Sequence, residues 1–217
     1  MEVHLHREID RLKRRILSLG AEVENALGKS VKALKKWDIE LARSVVKYDS
    51  EIDRIEVEIE EECLKILALH QPVAIDLRFT ITVLKINNDL ERVADLAANM
   101  AERVLYLSGR QNIQIPEKLT MIVSMAQSML KRSLDALVNL NTDLAREVIN
   151  DDDIIDELHT QMYDYVQEKI KKEPSMVDCQ INLLSVSRYL ERISDLVTNI
   201  AEDVIYMVEG EIVRHRM

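Results

Sequence analysis

At 217 residues, 47% of them hydrophobic, the chain carries enough apolar material to fill one long core or two short ones, which excludes a disordered polypeptide. Its formal charge of -10 excludes a general nucleic-acid binder, because such binding depends on a basic surface that neutralises phosphates. Four Gly, three Pro and one Phe leave few turn signals and little strand preference, so an all-α fold is the default.

The opening MEVHLHREIDRLKRR lacks the apolar stretch of a signal peptide. No later window approaches the run of about 20 apolar residues that spans a bilayer, so a cytoplasmic protein without direct membrane insertion is expected. A first helix closes at Trp37-Asp38. Its basic run, Arg7, Arg11, Lys13, Arg14 and Arg15, reads as a solvated face with no assigned role. A second helix closes at His70-Gln71-Pro72 and a third in the stretch 108–116. A fourth ends at 139–141 and a fifth at 172–174, and the sixth runs almost to the end. Cys63 and Cys179, far apart and without a CxxC companion, read as buried thiols.

The second half repeats the first. DLERVADLAANMAERVLYL from Asp89 aligns without a gap to YLERISDLVTNIAEDVIYM from Tyr189, an offset of 100. Upstream, Leu41-Ala42-Arg43 matches Leu144-Ala145-Arg146, and Asp49, Ile52 and Asp53 match Asp152, Ile155 and Asp156, at an offset of 103. Pro72 and Asp76 recur as Pro174 and Asp178. Each third helix carries an apolar seam at alternating spacings of four and three: Ile86, Leu90, Val93, Ala97, Met100, Val104 and Leu107, echoed by Val186, Leu190, Ile193, Val197, Ile200, Val204 and Met207. The expectation is six long helices in two tandem, duplicated three-helix bundles, with units at 1–110 and 111–217.

Four acidic pairs at i and i+4 stand at matched places: Asp49 with Asp53, Glu91 with Asp95, Asp152 with Asp156, and Glu191 with Asp195. Like charges at that spacing cost a helix about 0.2 to 0.5 kcal/mol, which a bound cation would turn into attraction. Oxygen ligands of this kind suit magnesium, calcium, manganese or iron. At about 100° per residue, Glu91 and Asp95 fall opposite the seam and face outward, whereas Asp49 and Asp53 lie on the shoulder of the second helix's seam. The sequence leaves open whether shoulder and outer face converge.

A carboxylate-rich metal-storage or redox protein is the alternative. A di-iron redox bundle needs ligands inside the bundle and paired Glu-x-x-His motifs. The chain offers only Asp156-x-x-His159, whose counterpart in the first half is Glu56. His4, His6, His70, His159 and His215 are scattered, and no Gly-rich phosphate loop, nucleophile elbow or Cys-His arrangement is present, so no catalytic residues are assigned.

HQPVAIDLRF from His70, LKINNDLERVADLAANMAERV from Leu84 and RYLERISDLVTNIAEDVIYMVEGE from Arg188 resemble the PhoU family of phosphate-uptake regulators over nearly the whole chain. The resemblance implies a non-enzymatic adaptor that contacts the ATPase of a phosphate ABC transporter and a sensor histidine kinase, repressing the starvation response while phosphate is plentiful. It leaves room for a homodimer. The family's metal-binding E/DxxxD motifs carry over to Asp49, Asp53, Glu91 and Asp95, and to Asp152, Asp156, Glu191 and Asp195, with iron, zinc, manganese, magnesium and calcium all eligible. Its DLR element falls on Asp76, Leu77 and Arg78, making Asp76 and Arg78 partner-contact candidates. The second half, Asp178-Cys179-Gln180, lacks that arginine, and the glycine usual before the final Asp of the family motif is Ala94 and Ser194 here.

Overall fold

The computed structural model describes residues 2–110 and 113–211, and among these it contains helices and no strand. His215 lies outside the described residues. The helices are α1 (Glu2–Lys36), α2 (Ile39–His70), α3 (Ala74–Leu107), α4 (Glu117–Asn139), α5 (Thr142–Asn150), α6 (Asp152–Lys172) and α7 (Val177–Glu209), with a single 3₁₀ turn at Pro174–Met176.

The breaks after α1 and α4 are made without glycine. Trp37 and Leu140, one repeat apart, take left-handed backbone conformations at φ 54° and 52°. Each is followed by a capping side chain: Asp38 accepts from the Leu41 amide and Asn141 from the Leu144 amide, both at 3.0 Å. Both residues of the turn, with their geometry, were therefore duplicated.

One expected helix is interrupted. The predicted fifth helix is divided at Asp151, whose amide reaches back to the Val148 carbonyl at 3.2 Å in a tightened turn. Arg132 of α4 pairs with the Asp151 carboxylate and holds the break in place.

Helices α1, α2 and α3 form one bundle; α4, α5 with α6, and α7 form the other. Every seam residue predicted on α3 and α7 is buried except Met207, which is half-buried. Buried Ser30 of α1 donates to the Ala97 carbonyl of α3 at 2.8 Å, fixing the approach of those helices.

The two bundles share one continuous core, because α3 and α7 also pack on each other. Lys85 of α3 reaches Asp203 of α7 at 3.3 Å, and Arg103 reaches Asn182 at 3.4 Å, so the two helices run antiparallel about a pseudo-twofold axis. Each third helix thus buries two faces, one in its own bundle and one against its sister.

The basic run of α1 corrects the sequence reading. Arg11 and Arg15 each lie 3.1 Å from Glu62 of α2, and Arg15 lies 2.6 Å from Glu58. Glu62 is only 7% exposed, so these arginines supply the counter-charge that lets a carboxylate be buried between α1 and α2.

Candidate metal centres

The acidic pairs converge across the crevice between the second and third helices of each half. Asp49 and Asp53 on α2 meet Asp95 on α3, each presenting an oxygen within 4.8 Å of the others. In the second half Asp156 on α6 meets Glu191 and Asp195 on α7 within the same limit. The shoulder of one helix and the outer face of the next therefore share one site per half. The two triads are not the same three positions, and the fourth carboxylate stands close by in each case.

Local geometry explains the difference. Asp49 lies mid-helix, whereas Asp152 opens α6 after the break at Asp151. Asp152 Oδ1 is turned into the protein and buried without a hydrogen-bond partner. Ser194 sits beside the Asp152 carboxylate and lowers its proton affinity, while its hydroxyl donates to the Glu191 carbonyl at 2.6 Å. In the first half it is Glu91, on its longer side chain, that stands out of the triad, near Glu56 as well as Asp53 and Asp95.

Crowding shows in the proton affinities. Burial, then the charges of Asp95, Asp53 and Glu102, pushes the Asp49 carboxyl up to about 6. Burial and the neighbouring Asp95, Asp53, Glu56 and Asp49 push Glu91 up to about 7. Asp152 rises to about 6 from burial first and Asp195 next. Asp95, Glu191 and Asp195 are raised as well, each chiefly by burial. Several half-buried carboxylates that repel one another, with an orphaned oxygen among them, match what a multivalent cation requires of a site. The donors are oxygens, which suits hard cations.

Glu102, Glu56, Asp153 and Ser194 contribute to the electrostatics of these sites beyond the E/DxxxD pairs. Glu102 lies seven residues after Asp95, two turns along the same face of α3, and Glu56 lies one turn after Asp53. Glu56 is held by Asn87, whose amide donates to its carboxylate at 3.0 Å and to its backbone carbonyl at 2.9 Å. The matched pair in the second half is His159 and Ser187, with Nδ1 2.8 Å from the hydroxyl. Burial lowers the His159 proton affinity, the direction that favours neutral imidazole.

The DLR element is tied into the fold. Asp76 occupies the first turn of α3, where its charge suits the positive helix end. Arg78 lies against the end of α7: a Cβ added at Gly210 would sit 1.9 Å from its Nη1. At the pseudo-equivalent place, Arg110 after α3 reaches Asp178 of α7 at 3.2 Å. The two ends of the α3–α7 pair are thus closed by different contacts. Cys63 and Cys179 are buried, and burial, then Glu62 and Glu60, pushes the Cys63 thiol up to about 12, away from thiolate chemistry.

A duplicated six-segment helical bundle with a carboxylate cluster between the second and third segments of each half defines a class of all-helical, internally duplicated proteins. Comparison with known proteins narrows it. A family model described as the PhoU domain matches twice, at residues 16–104 and 119–204. A relative from Aquifex aeolicus named phosphate-specific transport system accessory protein PhoU homolog is 35% identical over 212 residues, covering 98% of this chain and 96% of that one. A relative of the same name from Clostridium acetobutylicum is 34% identical over 205 residues, 94% of each chain. The crystal structure of PhoU from Pseudomonas aeruginosa superposes with a TM-score of 0.91 at 33% identity, covering 95% of this chain and 99% of its own. That of the phosphate transport system regulatory protein PhoU from Streptococcus pneumoniae gives 0.89 at 30% identity, covering 96% and 99%. The chain belongs to the PhoU family.

Proposed function

We propose that this chain is an accessory regulator of a phosphate transport system, acting in the cytoplasm by contact with the transporter's ATPase and with a sensor histidine kinase to hold the starvation response off when phosphate is sufficient. The observation that carries the reading is similarity over nearly the full length to proteins named as accessory proteins of phosphate-specific transport. No helix among the described residues is long and apolar enough to cross a membrane, so membrane association would run through those partners.

Each half, 1–110 and 111–217, supplies one cation site in this reading. Asp49, Asp53, Glu91 and Asp95 serve the first and Asp152, Asp156, Glu191 and Asp195 the second. A multivalent cation there would neutralise the carboxylates and cross-link the second and third helices of its bundle. The clusters stay exposed enough for a partner to complete the coordination, which makes cation loading a means of tuning contact. Asp76 and Arg78 add a contact point at the start of α3, and a homodimer is compatible with the arrangement.

The test is affinity purification of the tagged chain from cells grown in high and low phosphate, with quantitative mass spectrometry and elemental analysis of the same preparations. A transporter ATPase or sensor kinase whose recovery changes with phosphate supply is the expected result; preparations carrying metal and no such partner would overturn the adaptor reading. Glu91→Ala with Asp95→Ala should halve the metal content while leaving helicity unchanged. Full metal content in that variant would sink the site assignment.

A further inference from the structure

At one end of the molecule the beginnings of α1 and α3 and the ends of α4 and α7 leave an open apolar groove of about 400 Å³ between the bundles. Ile9, Ile75, Phe79, Leu140 and Val208 form much of its wall, with Asp10, Asp76 and Lys13 as charged lining. Phe79 and Glu91 are 12 residues apart on α3, about 18 Å along the helix, so the groove is separate from the acidic cluster.

The pseudo-twofold supplies a comparison within the chain. At the opposite end the same arrangement recurs with the halves exchanged, and there the segment 113–116 leads into α4. It packs Ile113 and Ile115, two residues apart, onto the core. Three residues before Ile113, Arg110 pairs with Asp178 at 3.2 Å. The position matching Asp178 at the groove end is Asp76, which lines the groove. Among the described residues no such segment lies there.

The turn from α2 into α3, which delivers Ile75 to the groove, is also more apolar than folding demands. Val73 is 75% exposed and Ile75 70% exposed, beside the equally exposed Leu69. Their counterparts in the second half are Ser175, Val177 at 36% exposure, and Lys171. The same turn of the same repeat therefore folds without exposed aliphatic side chains at the outer two positions, and the fold alone does not explain Leu69 and Val73.

We propose that this groove docks a short extended segment of a partner protein with the pattern basic-x-x-aliphatic-x-aliphatic, the pattern that Arg110, Ile113 and Ile115 present at the other end. The two aliphatic side chains fill the apolar floor and the basic residue pairs with Asp76. A membrane is the poorer fit, since Asp10 and Asp76 would be pressed against lipid.

The probe is a synthetic peptide of residues 109–117, GRQNIQIPE, added to the full chain in EDTA and followed by methyl NMR. Saturable shifts at Ile9, Ile75 and Leu140 are expected. Affinity should fall at least tenfold for a peptide with both isoleucines changed to serine, and likewise for the full chain bearing Ile75→Asp, but not for Val177→Asp. Ile75 is exposed enough that its substitution leaves the fold intact. Absence of saturable shifts would overturn the proposal. So would the same methyl shifts produced by phosphatidylglycerol vesicles in place of peptide, by removal of residues 212–217, or by concentration-dependent self-association that Ile75→Asp abolishes. Because EDTA is present throughout, the result is independent of whether the acidic clusters bind metal.

Discussion

Asp95→Asn should stabilise the metal-free protein at neutral pH and at the same time remove the first half's share of its response to cations. The raised carboxyls of the first cluster bind protons more tightly in the folded chain than in the unfolded one. Between the unfolded value near 4 and the folded values of about 6 for Asp49 and about 7 for Glu91, the folded state therefore holds more protons. Stability thus falls as pH rises through that window; the penalty is absent below about pH 4 and complete above about pH 7. For a fully buried group, a displacement like that of Asp49 would correspond to about 3 kcal/mol, but water screens these half-buried carboxyls to roughly 1 kcal/mol. Removing the Asp95 charge, which after burial is the largest cause at both Asp49 and Glu91, should recover part of that amount. In EDTA, Tm of the variant should exceed wild type by about 1–2 °C at pH 7.5 and match it at pH 4.5. With manganese at about 100 times its Kd, wild type should gain about 2.7 kcal/mol from each of its two sites and the variant that amount from the second-half site alone. Differential scanning calorimetry over pH, with and without the ion, reads both effects. A variant less stable than wild type at pH 7.5 in EDTA would refute the repulsion argument, and an equal manganese response would refute Asp95 as a ligand.

Three further outcomes follow from contacts outside the clusters. Gly210→Ala should cost about 1–2 kcal/mol, because φ is +76° there and the new Cβ would meet the Arg78 guanidinium; adding Arg78→Ala should relieve part of that loss in urea denaturation. Arg15→Met together with Arg11→Met should cost about 3–5 kcal/mol by stranding buried Glu62, and adding Glu62→Met should restore most of it, as read by the denaturation midpoint. Asp38→Ala and Asn141→Ala should each cost about 1 kcal/mol through the lost cap, and their effects should add because the two turns lie in different bundles.

Periodicity made the architecture readable in advance, because each seam residue from Ile86 to Leu107 repeats at the bundle spacing and is fully buried. The second buried face of α3 and α7 was not readable. It is built partly from residues that a hydrophobic pattern scores as surface, such as Thr82, Asp89, Asn182 and Asp203, and its burial follows from a sister helix far along the chain. The break at Asp151 was hidden for a related reason. It has neither Gly nor Pro, and it depends on Arg132 from another helix. The acidic residues were visible as pairs on single helices, but their meeting across α2 and α3, or α6 and α7, is set by helix packing that spacing within one helix does not encode.

Duplication separates what the fold needs from what a site adds. Features present in both halves, such as the left-handed Trp37 and Leu140 with their capping Asp38 and Asn141, are accounted for by folding alone. The acidic clusters also recur, yet capping and core packing do not explain them. Their carboxylates raise one another's proton affinity in both copies, so each cluster opposes the stability of the metal-free chain. A feature that destabilises the protein twice, at matched places, calls for a compensating role, which a multivalent cation between the second and third helices would supply. The ends of the α3–α7 pair differ in the opposite sense. One closes with Arg110 on Asp178 under a linker, and the other with Arg78 on the Gly210 backbone beside an open groove. Since the closed end shows what such a groove accepts, the open end is where a partner's segment could take the linker's place.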